Sequence, residues 1–191
     1  MELKVLPHQL KKQISEIKND YFYPSLKSLK ENILEIGFGE GKNFAVFPSD
    51  SKIFAIEKNE KFLNDKKSTE KKNIIFKKGV AEKIPFENEF FDAVILSFVL
   101  CSVDSIEENL NEIYRVLKKD GKIVLLEHIK SDSKITLAIQ KMITGIQSLF
   151  ISCRMDRDPR VFINEQKFEI LSEKVFENNL EPYLFMELKK L

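Results

Sequence analysis

Apolar positions along the chain change period near residue 31. Before it, Leu6, Leu10, Ile14 and Ile17 recur at helical spacing and predict an amphipathic helix over Pro7–Lys18. After it come short apolar runs: Ile33–Ile36, Ser51–Glu57, Asn73–Lys78, Phe91–Ser97 and Lys122–Glu127. Runs of this length without alternation read as strands buried on both faces of a parallel sheet. Between them, Lys58–Lys67 reads as a solvated Lys-rich helix. Ile106–Lys119 reads as a helix with Ile106, Leu110, Ile113, Val116 and Leu117 inward, capped by Asp104 and ended by Gly121. Such alternation predicts βαβ units. Asp158-Pro159 predicts the start of a short helix to Gln166, and Phe168–Phe176 with Pro182–Lys189 predict an antiparallel pair joined by an Asn-rich turn. The expected architecture is an α/β three-layer sandwich with a mostly parallel seven-stranded sheet.

Two segments stay open between readings. The arm, residues 1–30, either packs over the sheet or forms a lid, with Tyr21, Phe22 and Tyr23 lining substrate space. Ser133–Phe150 is apolar on more than one face, which suits a core or interface helix, the wall of an apolar site, or a membrane-touching helix. At 191 residues the chain is read as one domain: arm, core 31–130, and C-terminal part 131–191. Lys+Arg 31 against Asp+Glu 30 disfavours a non-specific nucleic-acid binder. Cys101 and Cys153 form no metal pattern, no CxxC is present, and no metal is expected. With no signal-like or long apolar run, a cytoplasmic location is expected, with peripheral membrane contact left open.

The chemistry concentrates in Glu31–Pro48, ENILEIGFGEGKNFAVFP. Gly37, Gly39 and Gly41 follow a strand at once, where a tight turn brings free backbone N–H groups to a ligand, and a segment able to start a helix follows. The spacing is G-x-G-x-G with Glu35 before it, unlike the G-x-G-x-x-G that seats a pyrophosphate. A strand-borne carboxylate there suits a ligand with a positive amine. Glu57 ends the next strand, placed to accept hydrogen bonds from ribose hydroxyls. One acid for an amine and one for a ribose describe S-adenosylmethionine better than NAD.

With Gly79–Phe86, Phe91–Val103 and EIYRVLKKDGKIVLLEH added, the chain resembles class I S-adenosylmethionine-dependent methyltransferases of the methyltransferase-11 type. LEIGFGEGKNFAVFP and LCSVDSIEENLNEIYRVLKKDGKIVLLEH look most like the methyltransferase-like proteins that act on alkyl thiols, although their N-terminal hydrophobic segment has no counterpart here. The resemblance implies a Rossmann-like fold and S-adenosylmethionine as cofactor. It implies that Glu35 holds the methionine ammonium and that Gly37, Gly39 and Gly41 let the backbone approach. By the same resemblance Glu57 takes the ribose, Lys58 lies against the adenine, and Ala81 and Glu82 line its edge. Relatives often carry Asp where this chain has Val80, so the carboxylate grip on the adenine amine is either missing or supplied by Glu82. Ser97 and Phe98 are expected under the sulfonium.

Methyl transfer to a small, apolar acceptor is the expected activity, with a thiol favoured because it ionises near neutrality. Methylation of a quinone precursor or a lipid headgroup is the alternative within enzymes. A nucleoside-binding protein without catalysis is the alternative outside them. His128 is either a general base or a structural histidine, and Cys101 either touches substrate or behaves as a small hydrophobe. Absence of an N/D-P-P-Y/F motif after Ser97 and of a Pro-Cys pair argues against methylation of bases. Oligomeric state has no signature in the chain.

Overall fold

The computed structural model describes residues 8–66, 73–147, 153–163, 168–177 and 181–191. Seven strands form one sheet: β1 (Asn32–Ile36), β2 (Lys52–Glu57), β3 (Ile74–Lys78), β4 (Phe91–Ser97), β5 (Leu117–His128), β6 (Phe168–Phe176) and β7 (Tyr183–Lys190), in the order β3-β2-β1-β4-β5-β7-β6. β1 through β5 pair in parallel, whereas β7 runs antiparallel between β5 and β6. The strand order reverses between β1 and β4, and such a reversal opens a crevice at the carboxyl ends of the strands.

Two apolar layers explain why the central strands carry almost no polar residues. Leu34, Ile36, Phe54, Ile56, Val94, Leu96, Ile123 and Leu125 face α4 (Ile106–Val116) and α6 (Arg160–Ile163). The alternate residues Ile33, Ile53, Ala55, Ala93, Ile95, Val124 and Leu126 face the N-terminal arm and Leu63 of α3 (Glu60–Lys66). The arm is α1 (His8–Ile17), a π-helical turn Lys18–Phe22, and α2 (Tyr23–Lys27). By the two-residue repeat of a strand, Glu35, Glu57, Ser97 and His128 project toward the arm side, and Glu127 toward α4.

Several boundaries differ from the sequence reading. The glycine turn leads into consecutive turns over residues 42–46, not a helix, because Phe44 and Phe47 are drawn into the core and Asn43 into the site. Ser105, not Asp104, caps α4 by accepting from the Glu108 N–H at 3.1 Å, while the Asp104 N–H is spent on Glu82. α4 stops at Val116 rather than Lys119, since Leu117 already pairs with Phe91 and Lys118 reaches Asp92 at 2.7 Å. The predicted ends of Ser133–Phe150 and Pro159–Gln166, and the Asn-rich turn, lie outside the described residues. α5 (Lys134–Gln147) docks through Gln140, which donates to the Ile129 carbonyl and accepts from the Ser131 N–H at 2.9 Å. Ile135 and Met142 on it are exposed. Among the described residues no helix is long and apolar enough to cross a membrane.

Gly121 tightens the entry to β5. A β-carbon there would lie 2.7 Å from Leu117 Cγ and 2.8 Å from the Lys118 carbonyl oxygen. Backbone cannot yield as a flexible side chain does, so Gly121→Ala is expected to destabilise the fold by about 1–3 kcal/mol. Thermal unfolding should show this as a drop of about 2–4 °C per kcal/mol; an unchanged midpoint would show that the turn relaxes freely.

Candidate active site

A cavity of about 790 Å³ opens at the carboxyl ends of β1, β2 and β4. The glycine turn forms one rim. Gly37 (φ 66°) donates its N–H to the Ile56 carbonyl at 2.9 Å, and a β-carbon on it would lie 3.0 Å from Val99. Gly39 (φ 51°) faces open space, with nothing within 4 Å of where its β-carbon would be. Left-handed backbone at both positions costs any other residue energy. Gly41 is set back from the wall, its N–H donating to the Phe38 carbonyl at 2.8 Å.

Two carboxylates frame this turn. Glu57 is spread over it, one oxygen accepting from the Gly39 N–H at 3.1 Å and the other from the Asn59 N–H at 2.9 Å. Glu35 is 2 % exposed, and its Oε1 accepts from the Asn43 side-chain amide at 2.8 Å. Its Oε2 has no hydrogen-bond partner among the described residues. Burial raises the Glu35 carboxyl to about pH 7, against the pull of Asn43 and of the Lys18 charge. Lys18 comes from the arm, donates to Asn43 Oδ1 at 3.3 Å, and has its own pKa lowered to about 8, chiefly by burial.

The remaining wall separates the sequence candidates. Lys58, Ala81, Glu82, Ser97, Phe98, Cys101 and His128 all line the cavity. Glu82 also accepts from the Asp104 N–H at 2.9 Å, and the Ala81 carbonyl accepts from Asn109. Of the three arm aromatics, only Tyr23 lines it. Phe22 is fully buried in the core, and Tyr21 packs on Phe176 with ring centroids 5.1 Å apart. Consecutive residues on a helical segment point about 100° apart, so one face could not hold all three.

Four wall or support residues escaped the sequence reading: Lys18, Asn43, Glu127 and Cys153. Glu127 lies fully buried behind the loop after β4, where one oxygen accepts from the Val99 N–H at 2.7 Å and the Leu100 N–H at 3.0 Å. Burial raises its carboxyl to about pH 7, with these two backbone donors opposing. Phe98 (φ 60°) begins that loop and packs its ring against His128, tilted by 35° with centroids 4.6 Å apart. Beside it sit Cys101, Cys153 and His128, their ligating atoms all within 4.8 Å of one another. A hydrogen bond with Cys101 and the nearby imidazole lower the Cys153 thiol, while Cys101 is raised. Burial alone would lower His128, but Cys153, Glu181 and Glu127 raise it.

The site fits a nucleoside carrying an amine. An acceptor oxygen without a partner waits at Glu35, space is open above Gly39, and Glu57 keeps further lone pairs for hydroxyls. Comparison with known proteins agrees. A protein-family profile described as "Methyltransferase domain" matches residues 34–125. The chain is 30% identical over 126 residues to thiol S-methyltransferase TMT1B of Rattus norvegicus, covering 60% of this chain and 51% of that one. It is 33% identical over 123 residues to the ubiquinone/menaquinone biosynthesis C-methyltransferase UbiE of Rickettsia prowazekii, covering 58% and 50%. The chain thus spans about half the length of these curated relatives. A SAM-dependent methyltransferase structure from Methanosarcina mazei superposes with a TM-score of 0.70 at 19% identity, over 90% of this chain and 97% of that one, which shows the shared fold. Residues 34–125 thus match the methyltransferase-domain family, of the methyltransferase-11 type.

Proposed function

We propose that this protein is an S-adenosylmethionine-dependent methyltransferase acting on a small, apolar acceptor, with a thiol favoured. One observation carries the reading: the unpartnered Glu35 oxygen and the Gly39-bound Glu57 carboxylate lie on the same cavity, on either side of a left-handed glycine turn. When bound, S-adenosylmethionine supplies an electrophilic methyl group on a sulfonium sulfur.

In this arrangement the chain mainly binds and aligns. Glu35 Oε2 receives the methionine ammonium, with Asn43 fixing the carboxylate's orientation through Oε1. Glu57 accepts from the ribose hydroxyls while its bonds to Gly39 and Asn59 keep it in place. Lys58 and residues 79–82 flank the adenine end. Val80, which forms a bridge with Lys83 rather than offering a carboxylate, leaves adenine recognition to backbone and to Glu82. Ser97 and Phe98 bound the end where the methyl group is presented, and Phe98, Val99 and Val103 make that end apolar. Holding the acceptor in line there contributes orientation worth about 7–11 kcal/mol.

The acceptor preference rests on two supports. One is the likeness to a thiol S-methyltransferase over 60% of this chain. The other is the acceptor end itself, where the His128 imidazole is 7 % exposed and packed against Phe98. A free thiol, with a pKa of about 8.5, needs little help from such a base, whereas an alcohol needs much. Carbon methylation of a quinone precursor is the second reading, favoured by the likeness to UbiE.

Calorimetry of the full chain with S-adenosylmethionine, S-adenosylhomocysteine and NAD tests the cofactor. The first two should bind and NAD should not; the reverse order would overturn the reading. A product assay on alkyl thiols, phenols, amines and quinone precursors then tests the acceptor, with alkyl thiols expected to give the highest kcat/KM.

A further inference from the structure

We infer that Cys101, Cys153 and His128 form a three-ligand site for a thiophilic d¹⁰ cation, zinc in the first place, whose open fourth position faces the acceptor end of the cavity. Each ligand comes from a different part of the fold: the loop after β4, the segment after α5, and the end of β5. Cys153 Sγ lies 3.8 Å from His128 Nδ1, and the three ligating atoms lie within 4.8 Å of one another. Zinc bonds of about 2.3 Å to sulfur and about 2.0 Å to nitrogen at a tetrahedral angle would set those two atoms about 3.5 Å apart. Closing onto a metal therefore asks for shifts of a few tenths of an ångström at that pair.

Backbone bonds hold the ligands together without the metal. The Arg154 N–H donates to the Cys101 carbonyl at 2.7 Å, which fixes the residue after one cysteine onto the other. The Lys130 N–H donates to the Arg157 carbonyl at 2.9 Å, and the Arg157 guanidinium reaches the Val103 carbonyl at 2.6 Å. These ties bind the 153–157 segment to both β5 and the loop after β4.

The imidazole has a carboxylate on its outer side, as metal-bound histidines do. With Nδ1 toward sulfur, the buried Nε2 makes no hydrogen bond among the described residues and lies 3.8 Å from Glu181 Oε2, which accepts from the Tyr183 hydroxyl at 3.1 Å. A carboxylate behind the imidazole sets its tautomer and raises its basicity toward a metal. Both cysteines are free thiols here. A reversible disulfide would need neither the aimed imidazole nor the carboxylate behind it. Two sulfurs and one nitrogen select zinc or a related soft cation over calcium, magnesium or manganese.

All three residues line the cofactor cavity beside Ser97 and Phe98. Three protein ligands leave the fourth position for a fourth donor, as in catalytic rather than structural zinc sites. On the thiol reading of the acceptor, on which this second step rests, that donor is the acceptor sulfur. Coordination releases the thiol proton to solvent. The bound thiolate then uses a lone pair to form the new S–CH₃ bond as the sulfonium–CH₃ bond breaks, and its electron pair stays on the leaving sulfur. A thioether and S-adenosylhomocysteine result, and no redox partner is needed.

The test uses the full chain loaded with Zn²⁺, and separately with Co²⁺ as a spectroscopic probe. One equivalent of metal should remain after dialysis, and the cobalt form should show thiolate-to-metal charge-transfer absorption. Cys101→Ser, Cys153→Ser and His128→Ala should each lower metal affinity by more than about 100-fold, and Glu181→Gln by about 10–100-fold. Each variant should keep the far-ultraviolet circular dichroism of the metal-free parent, which separates loss of the site from loss of the fold. Failure to retain metal, retention undiminished in the Cys101→Ser/Cys153→Ser double variant, or a Cys101–Cys153 crosslink in the isolated protein would each overturn the site. An alkyl thiol should shift the cobalt absorption. Thiol methylation at full rate by metal-free protein would overturn the metal's role while leaving the thiol reading standing. If the metal binds at the three residues but thiols neither shift its spectrum nor become methylated, the acceptor role falls and the metal site stands.

Discussion

Glu35→Gln is expected to weaken S-adenosylmethionine binding by about 10–150-fold, the equivalent of one charge-assisted hydrogen bond of about 1.5–3 kcal/mol. The glutamine oxygen would still accept from Asn43 as Oε1 does at 2.8 Å. Its amide would put a donor where the carboxylate offers the ammonium an unpartnered acceptor. Calorimetry reads the loss directly, and a variant binding as tightly as the parent would show that the ammonium lies elsewhere.

The same variant separates binding from stability by sign. Burial raises the Glu35 carboxyl from 4.5 to about 7 in the folded chain. The folded state therefore keeps a proton that the unfolded state gives up as pH passes 4.5. The resulting stabilisation is complete below that value and is lost as pH rises through about 7. Above pH 7 the fold holds an ionised, buried carboxylate facing Lys18, itself lowered to about 8 by burial, with Tyr23 raised by burial and by Glu35. Removing the charge relieves that burden, so ligand-free Glu35→Gln should be the more stable form above pH 7 and the parent should gain as pH falls. Cofactor binding runs the other way. It needs the ionised carboxylate, so parent affinity should fall about tenfold per pH unit below pH 7, and the variant's should not. Parallel pH profiles for the two proteins would remove Glu35 from the binding step.

What could be read in the chain beforehand follows from where its information is local. β1, β2 and β4 are buried on both faces, so their apolar runs announced them, and the acids stand out against those runs, Glu35 inside one and Glu57 at the end of the next. The left-handed turn at Gly37 and Gly39 was readable because few other residues tolerate it. Pairings made only by topology were not readable. Asn43 meets Glu35 because the chain makes turns where a helix was expected, and Lys18 meets both because the arm crosses the same face. Cys153 is 25 residues from His128 and 52 from Cys101, on opposite sides of α5, so no sequence spacing could signal a cluster. The end of α4 failed for a similar reason. Lys118, Lys119 and Gly121 satisfy every local rule for a helix terminus, yet pairing of Leu117 with Phe91 starts β5 two residues before the predicted helix end.

Glu127 is the support residue whose loss should be felt most. Its carboxylate is fully buried and is the acceptor for two backbone donors, Val99 N–H at 2.7 Å and Leu100 N–H at 3.0 Å. Those donors belong to the loop that carries Phe98 in a left-handed conformation and Cys101 against the cavity. Glu127→Ala would leave both N–H groups buried without an acceptor, at about 1–3 kcal/mol each, and would add a cavity beside Leu100. A loss of about 2–6 kcal/mol is expected in denaturant unfolding. Glu127→Gln keeps an oxygen in the same position and should recover most of it. The consequence for the site is lopsided. The glycine turn, Glu35 and Glu57 lie on β1 and β2, so cofactor affinity should change little in the glutamine variant. The acceptor end is bounded by the loop that Glu127 tethers, so loosening it should raise the KM for the acceptor before it lowers cofactor binding. Equal losses at both ends would mean that the loop and the glycine turn move as one body. An alanine variant as stable as the parent would mean that Val99 and Leu100 find other acceptors.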